Sequence, residues 1–306
     1  MSEFKFLHLT TLESEGRVLY CQTHNGIFHT DDVFFSALLR LYSRDHGIKC
    51  IIKRVANAEP IRGITFDIGC KYDPEIGCFD HHQEDSLMHK VKTIKNGEVL
   101  FEDEKRSSFG QLWEYIGDYY LKGRSNWVFD TQFVKPICHH DNYGGCDALS
   151  NIIKDFNPTF NEEDTQDYQD NRFFIAVNFA EHILIHRFQT LAGNQSGVAN
   201  SIESAMDETV KQSGILVLDK YPKGINSALN VKCPWVYFFI VPDQRESFEE
   251  TYILHPVFSN KNGDAKIKLI DDERAFFVNE KFAKFKTLQD ATQYAQMLID
   301  GARICQ

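Results

Sequence analysis

Several features that mark particular protein classes are missing from this sequence of 306 residues. Its eight cysteines include no CxxC pair, and its first residues lack the basic and then apolar pattern of a secretory signal. No uninterrupted apolar run approaches the length of a membrane span. We therefore predict reduced thiols, no association with a membrane and a cytoplasmic location, with the nucleus as an alternative.

Basic residues are also scarce, because 33 Lys and Arg stand against 44 Asp and Glu and leave a net charge of -11. This balance argues against a surface that coats nucleic acid broadly, because phosphate binding requires Lys and Arg on one face. A phosphate-bearing partner must be held locally, for example through metal ions. The apolar fraction of 42% and the charged fraction of 25% are ordinary for globular chains, and the length suits two domains.

The N-terminal half alternates between strand-like and helix-like segments. RVLYCQTHNG begins as a strand and breaks at Asn25-Gly26, after which DDVFFSALLRLY has helical spacing. IKCIIKRV and ITFDIGC have the composition of buried parallel strands, and RSSFGQLWEYIG predicts a helix capped by Ser107 or Ser108. Together these patterns predict an α/β sheet.

A polar stretch at residues 84–106 interrupts this alternation. It contains a predicted hairpin turn at Asn96-Gly97. Because the stretch directly follows the FDHHQ segment, two interpretations stay open, namely a lid over a site and a tolerated insertion.

The C-terminal half has a different organisation. Residues 162–207 have helical spacing, and from Gly214 the pattern changes to the strands ILVLDK, WVYFFIVP, TYILHPVF and AFFVN, followed by a helix over TLQDATQYAQMLI. We predict an α/β domain at 16–160, a helical connector at 161–212 and an α+β domain with an antiparallel sheet at 213–306.

Aspartate and histidine occur in four clusters of the first domain, and we place each cluster at the end of a predicted strand. The clusters are His24 to Asp32 in HNGIFHTDD, Asp67 in TFDIG, Asp80-His81-His82 in FDHHQ, and Asp141 in ICHHDNYGG. Ligands of open parallel sheets bind outside the carboxyl ends of the strands, so these side chains are expected to converge on one cleft. Any one of them alone is more often a helix cap or a loop residue, whereas four clusters of one chemical type indicate a shared site.

The chemistry of these clusters favours metal ions. Imidazole and carboxylate together suit Mn²⁺ or Zn²⁺, whereas Ca²⁺ prefers an all-oxygen shell. Six candidate ligands with one bridging carboxylate suffice for two cations, the arrangement that activates water for in-line phosphoryl displacement. The equal spacing of Cys70 with Cys78 and of Cys138 with Cys146 leaves a separate zinc site open, although packing cysteines are the better interpretation.

The stretches THNGIFHTDD, FDIGCKYDPEIGCFDHHQ, RSSFGQLWEYIG and HDNYGG, in this order, resemble the melanocyte proliferating gene one family of the DHH phosphoesterase superfamily. The resemblance implies a parallel-sheet DHH phosphoesterase domain plus a smaller α+β C-terminal substrate domain, joined by a long helical segment. It also implies a metal-dependent hydrolase with two divalent cations, with Mn²⁺ expected and Mg²⁺, Zn²⁺ or Co²⁺ as alternatives.

The same resemblance assigns metal ligands residue by residue. One cation would be held by His24, His29 and Asp67, and the other by Asp31, Asp67, His81 and Asp141. Asp67 would then bridge the two cations.

The resemblance further implies two catalytic residues and a substrate segment. His82 would face the substrate phosphate, and Asp80 would orient the His81 ring. In the C-terminal domain, this chain departs from the glycine-rich substrate-binding segment of family members, and two interpretations of Lys281 and Lys284 stay open there, namely cationic contacts with substrate and a solvated edge. A hydroxide activated by the two metals would attack phosphorus.

Three functions are compatible with the sequence. The first is a 3′–5′ exonuclease acting on RNA or short oligonucleotides, which the resemblance implies. The second is a phosphatase for a small phosphorylated metabolite or nucleotide, and the third is a non-catalytic, metal-containing binding module. An aromatic, basic groove would favour the exonuclease, and a closed pocket would favour the small substrate. The sequence predicts no oligomeric state.

Overall fold

The computed structural model describes residues 4–95, 98–145, 147–163, 165–244, 251–259 and 264–304. The chain forms two compact units, Met1–Leu191 and Ala192–Gln306. The domain limits predicted at 16–160, 161–212 and 213–306 remain predictions.

The first unit begins with strands, among which α1 is the only α-helix described, and from Ser108 onward its described elements are helical. Its strands are β1 (Thr11–Glu13), β2 (Gly16–His24), β3 (Lys49–Val55), β4 (Gly63–Phe66), β5 (Tyr72–Asp73), β6 (Cys78–Phe79), β7 (Met88–Lys95) and β8 (Glu98–Lys105). Its helices are α1 (Thr30–Asp45), α2 (Ser108–Tyr120), α3 (Gly123–Phe129), α4 (Lys135–Tyr143), α5 (Ala148–Lys154) and the start of α6 (Gln166–Ser204). Short 3₁₀ turns occupy Leu7–Leu9 and Pro74–Ile76, and a π-helical segment occupies Asp130–Val134.

Helix α6 occupies most of the predicted helical segment 162–207, and its 39 residues continue into the second unit. Charged and polar side chains occur along its whole length. Within the described part of the chain, no helix is both long enough and apolar enough to cross a bilayer.

The main sheet is built around four parallel strands in the order β3-β2-β4-β6. In the antiparallel sense, β1 pairs with the start of β2 and β5 pairs with the edge strand β6. Strands β2 and β4 come very close at Gly63, where a Cβ atom would lie 2.0 Å from the carbonyl oxygen of Tyr20. A side chain at this position would therefore force the two strands apart. The predicted α/β class with parallel strands is confirmed.

Helix α1 is buried on almost every side because it lies between the sheet and other helices. On the sheet side, the Phe35 ring stacks on Phe66 with centroids 4.0 Å apart. On the helix side, Phe34 contacts Phe109 of α2 at 5.6 Å. A helix without a solvent face needs apolar residues all round, which explains the run VFFSALL. This packing fixes the N-terminus of α1, which carries Asp31.

The sequence between β6 and α2 forms a separate two-stranded ribbon. Strands β7 and β8 pair antiparallel from Met88 opposite Lys105 to Lys95 opposite Glu98. The predicted hairpin turn at Asn96-Gly97 lies outside the described residues.

The second unit contains a mixed sheet and three complete helices among its described residues. Its elements are α7 (Glu208–Ser213), β9 (Ile215–Val217), α8 (Ile225–Lys232), β10 (Phe238–Pro242), β11 (Tyr252–Pro256), β12 (Ala275–Val278), β13 (Ala283–Phe285) and α9 (Leu288–Ile304). The strand order is β12-β13-β11-β10-β9, and only β9 is parallel to its neighbour in the pairs described. The predicted antiparallel sheet is therefore correct except at β9.

Candidate metal centre

Three neighbouring parallel strands end beside one another and supply most of the predicted site. Strand β2 ends at His24, β4 ends directly before Asp67, and β6 ends directly before Asp80. The backbone N–H of Asp67 donates to the carbonyl oxygen of Phe79, at 3.0 Å, which continues the β4–β6 ladder into the site. The side chains therefore converge at the carboxyl edge of the sheet, the usual ligand edge of this kind of sheet.

Asp67 has an unusual backbone conformation. Its φ is +51°, in the left-handed region that residues other than glycine seldom adopt and that aspartate tolerates better than most. Cys70, three residues later, has the same φ. Backbone strain of this kind persists where the surrounding structure fixes it and is frequent at functional sites.

The turn from β2 into α1 brings two carboxylates to the site. Asp31 and Asp32 lie in the first turn of the helix, where the positive end of the helix dipole stabilises negative charge. Asp32 Oδ1 accepts a hydrogen bond from the backbone N–H of His29 at 3.1 Å, so this side chain also closes the N-terminus of the helix.

Asp141 is supplied by a helix, and the prediction that it follows a strand is wrong. It lies in α4, directly continuous with the π-helical segment before it. Val134, Ile137 and Cys138 are buried at helical spacing, and this apolar face holds α4 against the core. Gly110 of α2 permits the approach, because a Cβ there would lie 2.5 Å from the Cys138 sulfur.

The side chains that meet at this edge are within a few ångströms of each other. His24 Nε2 lies 3.2 Å from Asp67 Oδ2 and 3.3 Å from Asp32 Oδ2. His81 Nδ1 lies 3.4 Å from Asp67 Oδ1, and His81 Nε2 lies 2.9 Å from Asp141 Oδ2. Asp67 thus stands between the two histidines.

Three sets of potential ligand atoms have all their members within 4.8 Å of one another. The sets are His24, His29 and Asp67; His29, Asp31 and Asp141; and Asp67, Asp80, His81 and His82. All six predicted metal ligands therefore belong to one cluster, in which Asp67 is shared by two sets. The first set has the composition assigned to one cation from the sequence, and the individual ligand roles remain predictions.

The carboxylates raise the pKa of both His24, which is half-buried, and His81, which is buried, and so favour the protonated rings. Burial opposes the positive charge of His24, but hydrogen bonds and charge interactions with Asp32 and Asp67 outweigh it and raise the His24 pKa to about 11. Burial likewise opposes charge on His81, and its Asp141 partner together with the neighbouring carboxylates raises the His81 pKa to about 9. The two imidazoles thus supply the positive charge that the acidic cluster requires when no cation is bound.

Burial and neighbouring negative charge favour the neutral form of two carboxyl groups, Asp67 and Asp141. Burial, followed by the negative charge of Asp31, raises the pKa of Asp67 to about 6 and that of Asp141 to about 8. Carboxylates crowded together in a buried place favour either protons or metal ions, because both remove like-charge repulsion.

Asp80 contacts a different histidine ring from the predicted one. Its Oδ1 accepts from His82 Nδ1 at 2.6 Å, whereas from His81 it receives only the backbone N–H, at 2.7 Å. Its Oδ2 accepts the Cys70 N–H at 2.6 Å. Burial would raise the Asp80 pKa, but these hydrogen bonds, the His82 ring first, lower it to about 2. Asp80 therefore orients the His82 ring, and Asp141 is the carboxylate hydrogen-bonded to the His81 ring.

The residues fit divalent cations, because several of their polar atoms are buried without any hydrogen-bond partner in the described structure. These atoms are Asp31 Oδ1, Asp32 Oδ2, Asp67 Oδ1 and His81 Nδ1. Asp32 Oδ2 lies 3.3 Å from His24 Nε2, and Asp67 Oδ1 lies 3.4 Å from His81 Nδ1, so these atoms have charged neighbours without a well-formed hydrogen bond. Buried polar atoms in that condition are free to bind a cation when the histidines release their protons. Carboxylate and imidazole donors together suit intermediate divalent cations.

The sequence of this chain is similar to a known protein family and to several of its members. The family model MYG1_exonuc, described as uncharacterised protein family UPF0160, matches residues 20–305. This chain belongs to the MYG1 family. The MYG1 exonuclease of Rattus norvegicus is 26% identical over 192 residues, which cover 52% of this chain and 50% of the rat protein. The MYG1 protein of Caenorhabditis elegans is 26% identical over 287 residues, 84% of this chain and 79% of its own.

The match spans about half the length of the rat protein. Among solved structures, the pGpG-specific phosphodiesterase PggH of Vibrio cholerae is similar over 94% of this chain and 98% of its own chain, with 12% identity and a TM-score of 0.31. Likeness at that level supports no conclusion about fold or chemistry, so the MYG1 assignment rests on sequence.

The structure adds two residues to the predicted site of this MYG1-family chain. Ser108 Oγ donates to Asp31 Oδ2 at 2.6 Å, and Gln111 Nε2 donates to the Asp80 carbonyl oxygen at 2.8 Å. Both come from α2, so the RSSFGQ motif positions the site as well as starting a helix. The sequence suggested Ser107 or Ser108 as a cap, but neither side chain caps α2.

Arg54 is a third residue that the sequence did not single out. It is the penultimate residue of β3, and its guanidinium donates to the carbonyl oxygen of Gly26 and, at 3.1 Å, to Asp170 Oδ1 of α6. The Phe28 and Phe173 rings flank it at 5.5 and 4.8 Å. Arg54 thus ties the turn that carries His24 and His29 to α6, and a charged residue at a strand end was the available signal.

Replacing Arg54 with Met should lower the free energy of unfolding by about 2–3 kcal/mol, because it leaves a carbonyl group and a carboxylate without their buried donor. It should also weaken Mn²⁺ binding about tenfold, since residues that orient ligands have effects of that size. Urea unfolding and calorimetric titration with MnCl₂ measure the two effects. Arg62→Met, which removes an exposed arginine bonded to one carbonyl oxygen, is the matched control. Equal behaviour of the two variants would refute the role of Arg54.

The two predicted lysine contacts lie in the second unit. Lys284 Nζ is 3.0 Å from Asp243 Oδ2, so much of its charge is directed at a carboxylate of its own unit. Lys281 is exposed in the turn between β12 and β13, where its backbone N–H donates to Asn279 Oδ1. Their roles in substrate binding remain predictions.

Proposed function

We propose that this chain is a metal-dependent phosphoesterase that hydrolyses phosphodiester bonds, specifically a 3′–5′ exonuclease on RNA or short oligonucleotides. The observation that carries the proposal is the convergence of six imidazole and carboxylate side chains with unsatisfied buried atoms at the carboxyl edge of a parallel sheet. Membership of the MYG1 family, whose mammalian relatives are named exonucleases, supports the reaction class. Two cations, with Mn²⁺ as the expected metal, would be held by His24, His29, Asp31, Asp67, His81 and Asp141.

The residues of the chain would prepare the site for a phosphodiester. The bound cations would supply Lewis-acid charge and lower the pKa of a water molecule. Ser108 holds the Asp31 carboxylate in place, and the α1 N-terminus stabilises its charge. Asp80 accepts a hydrogen bond from His82 Nδ1, which leaves Nε2 of the exposed ring to donate to a nonbridging phosphate oxygen. The hydrogen bond to Asp80 raises the pKa of His82 and so favours the protonated ring, which donates from both nitrogens.

Replacing His82 with Ala should reduce turnover about 10²- to 10³-fold and leave Mn²⁺ binding nearly unchanged, because the ring stabilises charge on the substrate rather than holding the metal. Steady-state hydrolysis and calorimetric metal titration separate these effects. His182→Ala, on the exposed side of α6, is the control and should behave as wild type. Loss of both cations in the His82 variant would contradict the assignment.

The reaction itself is tested by incubating purified protein and MnCl₂ with single-stranded RNA labelled at its 5′ end. A ladder of labelled products that shortens with time is the expected result, because removal of nucleotides from the 3′ end keeps the label on long intermediates. A single labelled mononucleotide at early times would indicate attack from the 5′ end. Absence of cleavage despite two bound Mn²⁺ ions would remove the exonuclease proposal, and release of phosphate from a mononucleotide would favour a phosphatase.

A further inference from the structure

The second unit carries a continuous series of aromatic rings on one face of its sheet. We call this series the aromatic row: Tyr221, Phe239, His255, Phe282 and Phe277. Tyr221 and Phe239 each contact His255 with ring centroids 5.0 Å apart, and His255 contacts Phe282 at 6.0 Å. Phe282 and Phe277 stack at 5.4 Å. The row therefore passes from Phe239 of β10 and His255 of β11 to Phe282, which directly precedes β13, and ends at Phe277 of β12.

The row lies on the face of the sheet opposite to helix α9. Phe239 and His255 are direct partners across β10 and β11, so their side chains lie on the same face. Their neighbours Phe238 and Leu254 point the other way and pack in the cluster that contains Tyr294 of α9. The α9 side of the sheet is thus one core, and the row lies on the second face, where Phe239 packs in another buried cluster with Ile225 and Leu229 of α8.

Both ends of the row are open to solvent. Tyr221 is 49% exposed and Phe277 is 45% exposed, whereas Phe239 is fully buried under α8. The Phe282 ring is fixed by the tight turn at Asn279, because Asn279 Oδ1 accepts a hydrogen bond from the Phe282 N–H. The exposed rings of Tyr221 and Phe277 are joined through the partly exposed His255 and Phe282, and exposed apolar surface of this kind marks a candidate recognition site.

Charge and polarity around the row select an occupant. Lys281 is exposed in the same turn and adds positive charge beside Phe282, although the whole chain is acidic. Burial lowers the pKa of His255 to about 4, so this ring is neutral near pH 7 and offers its face as an aromatic surface. Exposed neutral rings with a cation at their edge match bases joined by phosphates, because bases stack on exposed aromatic side chains and phosphates pair with cations.

We propose that the aromatic row is a platform on which nucleobases of a single-stranded oligonucleotide stack. The proposal rests on the proposed function for its substrate class and extends it by assigning base contacts to the second unit. Stacking tolerates every base, because each base has an aromatic face, so the platform would bind strands with little sequence preference.

The test measures binding without hydrolysis. Full-length protein in EDTA is titrated into single-stranded RNA that contains 2-aminopurine, whose fluorescence falls when the base stacks. Wild type should quench the fluorescence, and Phe277→Leu should bind about 5- to 100-fold more weakly because one base loses its stacking partner. Tyr221→Leu should act in the same direction at the other end of the row.

Phe276→Leu is the matched control, because Phe276 is the preceding residue of β12, is 47% exposed and makes no ring contact with the row in the described structure. Thermal unfolding of each variant shows whether it is folded. Equal affinities of Phe276→Leu and Phe277→Leu would overturn the proposal. So would dimerisation in sedimentation that Phe277→Leu abolishes while RNA binding is absent, since the row would then hold a second copy of the chain.

The platform and the proposed reaction fail in different ways. Hydrolysis of bis(p-nitrophenyl) phosphate with MnCl₂ requires the metal centre and no base contact. Weaker RNA binding by Phe277→Leu with unchanged hydrolysis of this small ester is the expected result. Stacking by wild type without any hydrolysis would retain the platform and reject the proposed function.

Discussion

Replacing Asp67 with Asn should lower the rate of RNA hydrolysis at least about 10³-fold, an effect of about 4 kcal/mol on the activation free energy. Asp67 stands between His24 Nε2 at 3.2 Å and His81 Nδ1 at 3.4 Å, and it is shared by two of the three ligand sets. Asparagine keeps the size of the side chain and removes the charge that can bridge two cations. Calorimetric titration with MnCl₂ should show fewer bound ions per chain.

Asp45→Asn is the control for that substitution. Asp45 is the last residue of α1, at the opposite end of the helix from Asp31, and it accepts a hydrogen bond from Tyr120 at 3.2 Å that asparagine can still accept. Wild-type hydrolysis and metal stoichiometry are expected for this variant. If Asp67→Asn hydrolysed RNA at the rate of Asp45→Asn, the candidate metal centre would not be the catalytic site.

The metal-free protein should lose stability as the pH rises from 6.5 to 8. In the folded chain the pKa values of His24, His81 and Asp141 are raised to about 11, 9 and 8, against ordinary values of 6.5 for histidine and 3.8 for aspartate. The folded state therefore keeps protons in this range that the unfolded chain releases, and stability falls as pH rises. Each such proton contributes about 1.4 kcal/mol per pH unit, so a loss of at least that size is expected.

Other groups affect this range less. The raised pKa of Asp67, about 6, has the same sign but acts mainly between pH 3.8 and 6. The lowered pKa of Asp80, about 2, gives stability that is present above pH 3.8 and is lost only as the pH falls through 2. Mn²⁺ should reverse the trend, because binding displaces protons from the cluster and strengthens as pH rises.

The measurement is urea unfolding at pH 6.5, 7.25 and 8, in EDTA and in MnCl₂. Of the three tryptophans, Trp113 and Trp127 lie in the first unit, so a Trp235→Phe background makes fluorescence report that unit alone. Asp141→Asn should show a shallower slope in EDTA, because it has no carboxyl proton to lose. Constant stability across these pH values in EDTA would contradict the protonation states described for the cluster.

The local patterns predicted the first unit well because its strands and helices bury apolar faces of the expected period. VLYCQTH, KCIIKRV and GITF became parallel strands, and the segment after Thr30 became α1. The segment ICHHDNYGG was predicted wrongly, because its helical spacing of apolar residues begins before it, at Val134, and the segment itself is mostly polar. Its place in α4 depends on packing against Gly110 of α2, a contact between distant segments that no local window contains.

The sequence alone indicated the imidazole and carboxylate groups of the site, because His24 ends an apolar strand, Asp67 and His81 follow apolar strands, and parallel strands end at one edge. Tertiary structure decided which groups touch. It paired Asp80 with the ring of His82, gave Asp31 a hydrogen bond from Ser108, and left four polar atoms unsatisfied. Those outcomes depend on the directions of side chains and on differences of a few tenths of an ångström in the distances between helices. Residue spacing along the chain does not encode either.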